Sequence, residues 1–216
     1  MKKTVPVIRP AKTGDADFLA WAILSAARGH LDRGWFDIVL AGKETTSLDF
    51  VRRLTLTPTR SWWHYSRFLV AEMDGIPAAT LCAFRASDAY PLSRQALIEV
   101  ARELGWSDAE QQEMWRRGGH IFTCTFDTSD DAWAVENVAT LPEYRRRGLT
   151  NALIELSLAE ARLSGARQAQ ITFPIGSDAA ERAYAQAGFR VKDEKRHPDF
   201  EAVTGAPGLR RLVRDL

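Results

Sequence analysis

Three consecutive arginines and a glycine, at 145–148, are the residues whose types and spacing most clearly suggest chemistry. They follow an apolar strand pattern at 133–139, and an amphipathic helix with Leu149, Leu153 and Leu156 begins directly after them. The first N–H groups of a helix lack partners within the helix and carry the positive end of its dipole. A glycine lets an anion approach the backbone, and arginines add charge and directed donors. The segment predicts a cradle for a pyrophosphate, although a basic run can also be a solvated helix surface.

Other classes of nucleotide or nucleic-acid site are excluded. The sequence has no Gly-x-x-x-x-Gly-Lys-Ser/Thr, so the cradle is not a P-loop. It has no Gly-x-Gly-x-x-Gly either, which excludes the Rossmann dinucleotide motif. The net charge of +1 at pH 7 argues against nucleic acid as a partner, because nucleic-acid binding leaves a strongly basic footprint.

The arginine segment resembles the acyl-CoA signature Arg/Gln-x-x-Gly-x-Gly/Ala of the GNAT family, the GCN5-related N-acetyltransferases. Arg145-x-x-Gly148-x-Thr150 carries the match, and the preceding Pro142-Glu143-Tyr144 is also typical of the family. A second segment, Ala180-x-x-x-Tyr184-x-x-x-Gly188-Phe189, resembles the helix-to-strand motif of the same family. The two motifs are separated by one predicted helix and one predicted strand, which is the family's order of elements.

The resemblance implies an α/β (α+β) fold with a mixed, splayed β-sheet flanked by helices. It also implies direct transfer of an acetyl group from acetyl-CoA, the co-substrate, to an amine, with no metal or redox cofactor. The residues implied to bind the cofactor are Val138, Ala139, Thr140, Arg145, Arg146, Arg147, Gly148, Leu149, Thr150, Asn151, Ser177 and Tyr184.

Catalysis of this transfer needs a base for the amine, a donor for the oxyanion and an acid for the departing thiolate. Glu136 is the candidate base, since it is the only ionisable residue between Trp133 and Leu141 and burial among valines would raise its pKa. It could instead pair with an arginine or bind the acceptor amine. The resemblance gives Tyr184 the role of the acid, with a core tyrosine as the alternative, and assigns the oxyanion to the N–H of Val138 or Ala139.

Strand alternation predicts that Glu136 shares a face with Ala134 and Val138, unless a bulge intervenes. Two positions depart from the family pattern. Thr150 stands where the family prefers Gly or Ala; its N–H remains available, and its side chain either crowds the turn or donates to a phosphate. Ser177 stands where many members have Asn, which weakens the case for a side-chain contact to the cofactor.

Composition indicates an ordinary soluble protein, with 45% hydrophobic and 26% charged residues among 216. This length suits a single domain over 1–216. No apolar run is long enough for a membrane span, and the start of the chain does not have the form of a signal peptide. We therefore expect a cytoplasmic protein without nucleic-acid or membrane partners. The acceptor could be a small-molecule amine or a protein amine, and a homodimer is possible.

The remaining candidate residues give weaker signals. Cys82 and Cys124 lie in apolar strand-like runs and predict two buried thiols. The four histidines lack metal-ligand spacing, so no metal site is expected. His30 and His64 lie close to tryptophans in the sequence, and either could serve an acceptor pocket. Trp35, Trp62 and Trp63, three of seven tryptophans, could line such a pocket or pack in the core.

Periodicity and turn residues place the elements that must position these groups. Strands are predicted at 5–9, 67–72, 78–84, 121–126, 132–140 and 168–173, with others beginning at 189 and spanning 208–214. Helices are predicted from Thr13 or Asp15 through Ala26, around 38–40, and at 47–56, 92–104, 108–116, 149–164 and 177–188, with Ser107 and Ser177 as N-caps. Asp74-Gly75 predicts a hairpin turn.

The helical segment at about 88–118 is an insertion before the fourth strand, where the family usually has a tight connection. It could cover the acceptor site or form a dimer contact. A function of a different class also remains open, a non-catalytic acyl-CoA-binding or sensor domain, because of the departures at Thr150 and Ser177.

Overall fold

The computed structural model describes residues 5–41 and 44–216. The predicted absence of a signal peptide concerns residues that in part lie outside this range. The strands are β1 Val7–Pro10, β2 Phe68–Met73, β3 Ile76–Arg85, β4 Trp133–Thr140, β5 Gln168–Pro174, β6 Arg190–Arg196 and β7 Gly208–Asp215. The helices are α1 Ala16–Arg28, α2 Trp35–Leu40, α3 Glu44–Leu54, α4 Ala86–Ala89, α5 Ser93–Glu103, α6 Asp108–Gly118, α7 Leu149–Leu163, α8 Asp178–Gln186 and α9 Pro198–Thr204.

The strands form one sheet in the order β1-β2-β3-β4-β5-β7-β6. All neighbours are antiparallel except β4 and β5, which are parallel and pair only at Trp133–Ala169 and Ala134–Gln170. Beyond Ala134 the two strands separate, and the sheet opens into a V. The predicted mixed, splayed sheet flanked by helices is confirmed.

A β-bulge in β4 lies just past the point where the strands separate. Cys82 pairs with Glu136 and Thr80 with Ala139, so β4 has one more residue than β3 in this interval. Asn137 accommodates the bulge with a left-handed backbone, φ 51°. Ala134 packs in the hydrophobic cluster on one face of the sheet, whereas Val135 and Val138 both pack in the cluster on the other face. The expectation that Val138 shares a face with Glu136 is therefore wrong, because the bulge resets the alternation.

Two hydrophobic cores cover the two faces of the sheet. One core joins α1, α2, α3, α5 and α6 to β2, β3 and β4, with Phe50, Phe68 and Phe84 at its centre. The other joins α7 and α8 to the sheet, with Leu153, Ile154 and Tyr184 among its buried residues. The leucines of the predicted helix after the arginines thus form its buried stripe.

The segment between β3 and β4 is helical, as predicted for the insertion, and it contributes α4, α5 and α6. Ser107 caps α6 in a capping box with Glu110, as expected for this residue. The strand predicted at 121–126 is wrong, because Gly119–Thr123 forms a 3-10 helix that continues the turn of α6. Its apolar residues instead pack with Phe200 and Leu209 in a small third cluster.

Two further features complete the comparison of fold and sequence. Cys82 and Cys124 are both buried free thiols, as predicted. Helix α9 was not expected; Pro198 is its first residue, and the side chain of His197 accepts a hydrogen bond from the N–H of Asp199.

We predict that the left-handed backbone at Asn137 makes this position sensitive to residue type. Asn137→Ala and Asn137→Gly both remove the side-chain contact to Cys82 Sγ, 3.4 Å away. Only alanine pays the left-handed cost of about 1–2 kcal/mol, which a smaller unfolded-state entropy offsets by roughly 0.4–1 kcal/mol. Urea unfolding should find the alanine variant less stable by roughly 0.5–1 kcal/mol. Equal stabilities, or a less stable glycine variant, would contradict a strained bulge.

Candidate active site

The turn between β4 and α7 presents a continuous run of free backbone donors. Gly148, φ 79°, is the N-cap of α7, and Arg146 is also left-handed with φ 61°. The first donor of the helix with an acceptor is the N–H of Ala152, which donates to the carbonyl of Gly148. The N–H groups of residues 146–151 have no acceptor among the described residues. Such a run of converging N–H groups at a helix start forms an anion-binding concavity.

The three arginines around this turn are exposed and available to an anion. Arg145 Nε donates to the carbonyl of Thr140 at 3.3 Å, and Arg147 donates to the carbonyl of Glu143 at 3.1 Å. Within the described part of the chain, none of the three forms an ion pair with a carboxylate. Their positive charge is therefore not neutralised locally.

The open edge of β4 adds donors beside the cradle. The N–H of Leu141 donates to Ala78 in β3, so alternation along the strand directs the N–H groups of Val138 and Thr140 to the opposite edge. That edge faces the gap between β4 and β5. Of the two candidate oxyanion donors, this geometry favours Val138 over Ala139, whose N–H points to β3.

A cavity of about 1480 Å³ occupies the gap and extends across the sheet edge. It is lined by Glu136 and by every position predicted to bind the cofactor, from Val138 to Tyr184. Tyr90, Trp35, Trp62 and Trp115 line the same cavity. Cradle, candidate base and aromatic residues therefore share one continuous space, and the insertion forms part of its wall.

Glu136 is partly buried at this cavity and accepts a hydrogen bond from the hydroxyl of Tyr90, with a Tyr90 Oη–Glu136 Oε1 distance of 2.7 Å. Burial raises the pKa of Glu136 to about 7, and the hydrogen bond from Tyr90 opposes this shift. No described residue forms an ion pair with Glu136. The alternative of a structural carboxylate paired with an arginine is therefore not observed.

Tyr184 is buried in the core beneath the cavity, with its ring centroid 5.5 Å from that of Phe173. Its hydroxyl has no hydrogen-bond partner among the described residues. Burial raises the pKa of Tyr184, and the charge of Glu136 raises it further. The phenol therefore keeps its proton at neutral pH and remains free to donate it.

The two positions that depart from the family pattern have defined surroundings. Thr150 Oγ1 lies 3.2 Å from Thr140 Oγ1, a contact that joins the start of α7 to the end of β4. Ser177 occupies the N-cap position of α8, but its side chain makes no capping hydrogen bond, contrary to the expectation. The hydroxyl of this buried residue lies at the cavity instead.

The histidines play different parts from those expected. His30 is exposed and His64 is buried against Ser66, and neither lines the cavity. Burial, with Arg60 and Arg67 nearby, lowers the pKa of His64 to about 4. His120 does line the cavity. Among the described residues no group of His, Cys, Asp and Glu could hold a metal ion, and no helix is long and apolar enough to cross a membrane.

Sequence reasoning missed the contribution of Tyr90. It lies 46 residues before Glu136, in a segment whose only sequence signal was helical periodicity. Ser93 Oγ accepts from Trp62 Nε1 at 2.9 Å and donates to the carbonyl of Tyr90 at 2.7 Å. A chain of hydrogen bonds thus connects Trp62 through the insertion to Glu136.

The sequence matches the acetyltransferase (GNAT) family over residues 42–189, and the chain belongs to this family. It is an acyl-CoA-dependent acetyltransferase, with acetyl-CoA as the co-substrate. No curated protein sequence matches the chain.

Solved structures show the same fold. An acetyltransferase structure is 20% identical with a TM-score of 0.70, over 97% of this chain and 98% of that chain. An N-acetyltransferase from Staphylococcus aureus Mu50 is 18% identical with a TM-score of 0.69, over 96% of this chain and 100% of that chain. A putative acetyltransferase from Salmonella typhimurium, solved with its cofactor acetyl-CoA, is 17% identical with a TM-score of 0.53, over 98% and 94% of the two chains.

We predict that Gly148→Val weakens CoA binding by about 10- to 100-fold, the equivalent of one or two charge-assisted hydrogen bonds. A side chain at Gly148 would project into open space beside the free N–H groups. Gly165→Val, at the other end of α7, is the matched control, because Gly165 has the same φ of 79° and the same open surroundings. Calorimetry should find weak binding only for the Gly148 variant, with similar losses of thermal stability in both. Undiminished CoA affinity in a folded Gly148→Val protein would show that the cradle is misplaced.

Proposed function

We propose that this protein is an N-acetyltransferase that passes the acetyl group of acetyl-CoA directly to an amine, with Glu136 as the base and Tyr184 as the acid. The observation that carries this proposal is that both side chains lie at one cavity with the cradle. The pKa of Tyr184 responds to the charge of Glu136, which supports their proximity.

The base must take a proton from an ammonium group before the nitrogen can attack the thioester carbonyl. A general base is most effective when its pKa lies near the working pH. A pKa of about 7 leaves Glu136 substantially ionised at neutral pH while keeping it basic enough to accept the proton. Glu136 takes this proton directly or through one water molecule.

The other two requirements fall to groups on opposite sides of the gap. The N–H of Val138 at the open edge of β4 donates to the oxyanion of the tetrahedral intermediate. Tyr184, on α8, donates its proton to the departing CoA sulfur as the carbon–sulfur bond breaks. The pyrophosphate lies against the N–H groups of 146–151 with Arg145, Arg146 and Arg147 around it. Thr140 and Ser177 contribute polar atoms to the same side of the cavity.

The alternative of a non-catalytic acyl-CoA sensor receives less support. Cofactor binding alone needs the cradle but has no use for an ionisable carboxyl at a cavity without a cationic partner. Ionising such a group in the fold costs free energy, so its presence is better explained by a reaction.

We predict that Glu136→Gln lowers kcat/KM at neutral pH and that part of the activity returns at high pH. The amide keeps the size of the side chain and removes the base, so the reaction must await unaided deprotonation of the amine. The wild-type rate should rise as the pH passes about 7, where Glu136 ionises, and the mutant should lack this rise. A pH–rate profile measures both.

Three controls sharpen this experiment. Glu160→Gln changes an exposed carboxylate near the end of α7 and should leave the profile intact. Because its folded pKa is raised, Glu136 contributes stability that is lost as the pH rises through about 7; Glu136→Gln should therefore unfold at a higher temperature than wild type at pH 8. A raised KM with unchanged kcat would make Glu136 an anchor for a cationic acceptor, and a profile equal to wild type in shape and height would remove it from the mechanism.

We predict that Tyr184→Phe slows the chemical step by about 10- to 1,000-fold, in the range of general acid catalysis. The ring and its packing on Phe173 remain, so CoA affinity should change little. Tyr65→Phe is the matched control, since Tyr65 is also partly buried among aromatic rings but does not line the cavity. Single-turnover rates separate chemistry from product release, and an unchanged rate for Tyr184→Phe would exclude the acid role.

A further inference from the structure

We propose that the acceptor is a monoamine carried on a flat apolar body, and that Trp62, Trp35 and the insertion residue Tyr90 form the subsite for that body. The proposal rests on the N-acetyltransferase function above and extends it to the class of substrate. It depends on the aromatic wall, its distance from Glu136 and the charges along the cavity.

The aromatic wall is a connected cluster of rings. The ring of Trp62 lies 4.4 Å from that of Trp63 and 5.8 Å from that of Tyr90, centroid to centroid. Trp35 stacks on Trp63 with a centroid distance of 6.4 Å and an interplanar angle of 15°. Trp62, Trp35 and Tyr90 are only partly buried and line the cavity, so they present apolar surface to a ligand. Rings arranged in this way favour a planar partner that can stack or meet an edge.

Tyr90 fixes the distance between this wall and the reacting amine. Its ring contacts Trp62, and its hydroxyl lies 2.7 Å from Glu136 Oε1. An amine at Glu136 therefore lies about one tyrosine side chain from Trp62. A linker of two or so carbons between the nitrogen and a ring spans this interval.

The charges along the cavity argue for a single amino group. Among the described lining residues, the carboxylates are Glu136 and the exposed Asp130. Arg33 and Arg94 line the cavity with no carboxylate partner, and the guanidinium of Arg94 lies 5.5 Å from the ring of Trp115. A second cation on the acceptor would meet these arginines rather than an acid. A structural neighbour is a Drosophila melanogaster polyamine N-acetyltransferase that forms N-acetylagmatine, and this charge pattern predicts a different acceptor for the present chain.

The decisive comparison uses two amines with the same carbon skeleton. We expect kcat/KM for 2-phenylethylamine to exceed that for 2-cyclohexylethylamine by about 2- to 10-fold, the range of aromatic pair interactions beyond buried area. Agmatine, spermidine and glutamate complete the panel, and each should be at least about tenfold poorer than 2-phenylethylamine. Release of free CoA thiol and mass spectrometry of the acetylated amine measure the rates.

Two variants locate the preference. Trp62→Leu should abolish the advantage of the planar amine, mainly by raising its KM, and leave 2-cyclohexylethylamine turnover close to wild type. Trp106→Leu is the matched control, because Trp106 is also partly buried on an aromatic ring, that of Phe50, but does not line the cavity. It should leave the amine preference unchanged. Circular dichroism and CoA affinity establish that each variant is folded.

The outcomes separate this inference from the function on which it rests. Equal rates for the two matched amines, or a preference for agmatine, spermidine or glutamate, would overturn the planar monoamine alone and leave the N-acetyltransferase in place. A preference for phenylacetyl-CoA over acetyl-CoA would assign the aromatic wall to the acyl group instead. Acetyl-CoA binding without acetylation of any amine would contradict both proposals.

Discussion

The separation of β4 from β5 after Ala134 is the constraint on which the rest of the site depends. Hydrogen bonds between these strands end at Trp133–Ala169 and Ala134–Gln170, so the backbone donors further along β4 lack a neighbouring strand. The bulge at Asn137 follows at once and keeps Glu136 and Val138 on different faces. One local irregularity therefore gives the site both a carboxylate that faces the insertion and an N–H that faces the gap.

The same geometry sets the electrostatics of Glu136. Burial disfavours its charge, while the Tyr90 hydroxyl favours it, and the balance raises the pKa to about 7. A fold optimised only for stability would pair or remove such a carboxyl, since a buried charge without a partner is costly. Tyr90 keeps that cost within limits without neutralising the base, as an arginine would. The helical insertion is thereby coupled to the chemistry and is more than a cover over the cavity.

The parts of the site that were predictable from sequence are those that depend on local backbone geometry. Gly148 and the arginines before it signal a helix start with free donors, and the structure has them. The facing of Val138 was not predictable, because a bulge depends on pairing with β3 and leaves no periodic trace. The apolar run at 121–126 resembled a strand, but whether such a run enters a ladder is decided by partners elsewhere in the chain. Tyr90 was missed for the same reason, as its contact with Glu136 exists only in the tertiary structure.

The two halves of the cavity also differ in how far their sequences are constrained. The cofactor half consists mainly of backbone N–H groups, which most side chains can supply once the turn and its glycine are in place. Relatives can therefore keep the fold at 20% identity. The acceptor half is built from side chains, and several of them come from the insertion between β3 and β4. Substitutions there alter the shape and charge met by the amine without disturbing the cradle, so acceptor choice can change while the donor remains acetyl-CoA. The aromatic rings around Trp62 are where this chain is expected to differ from proteins that share its fold.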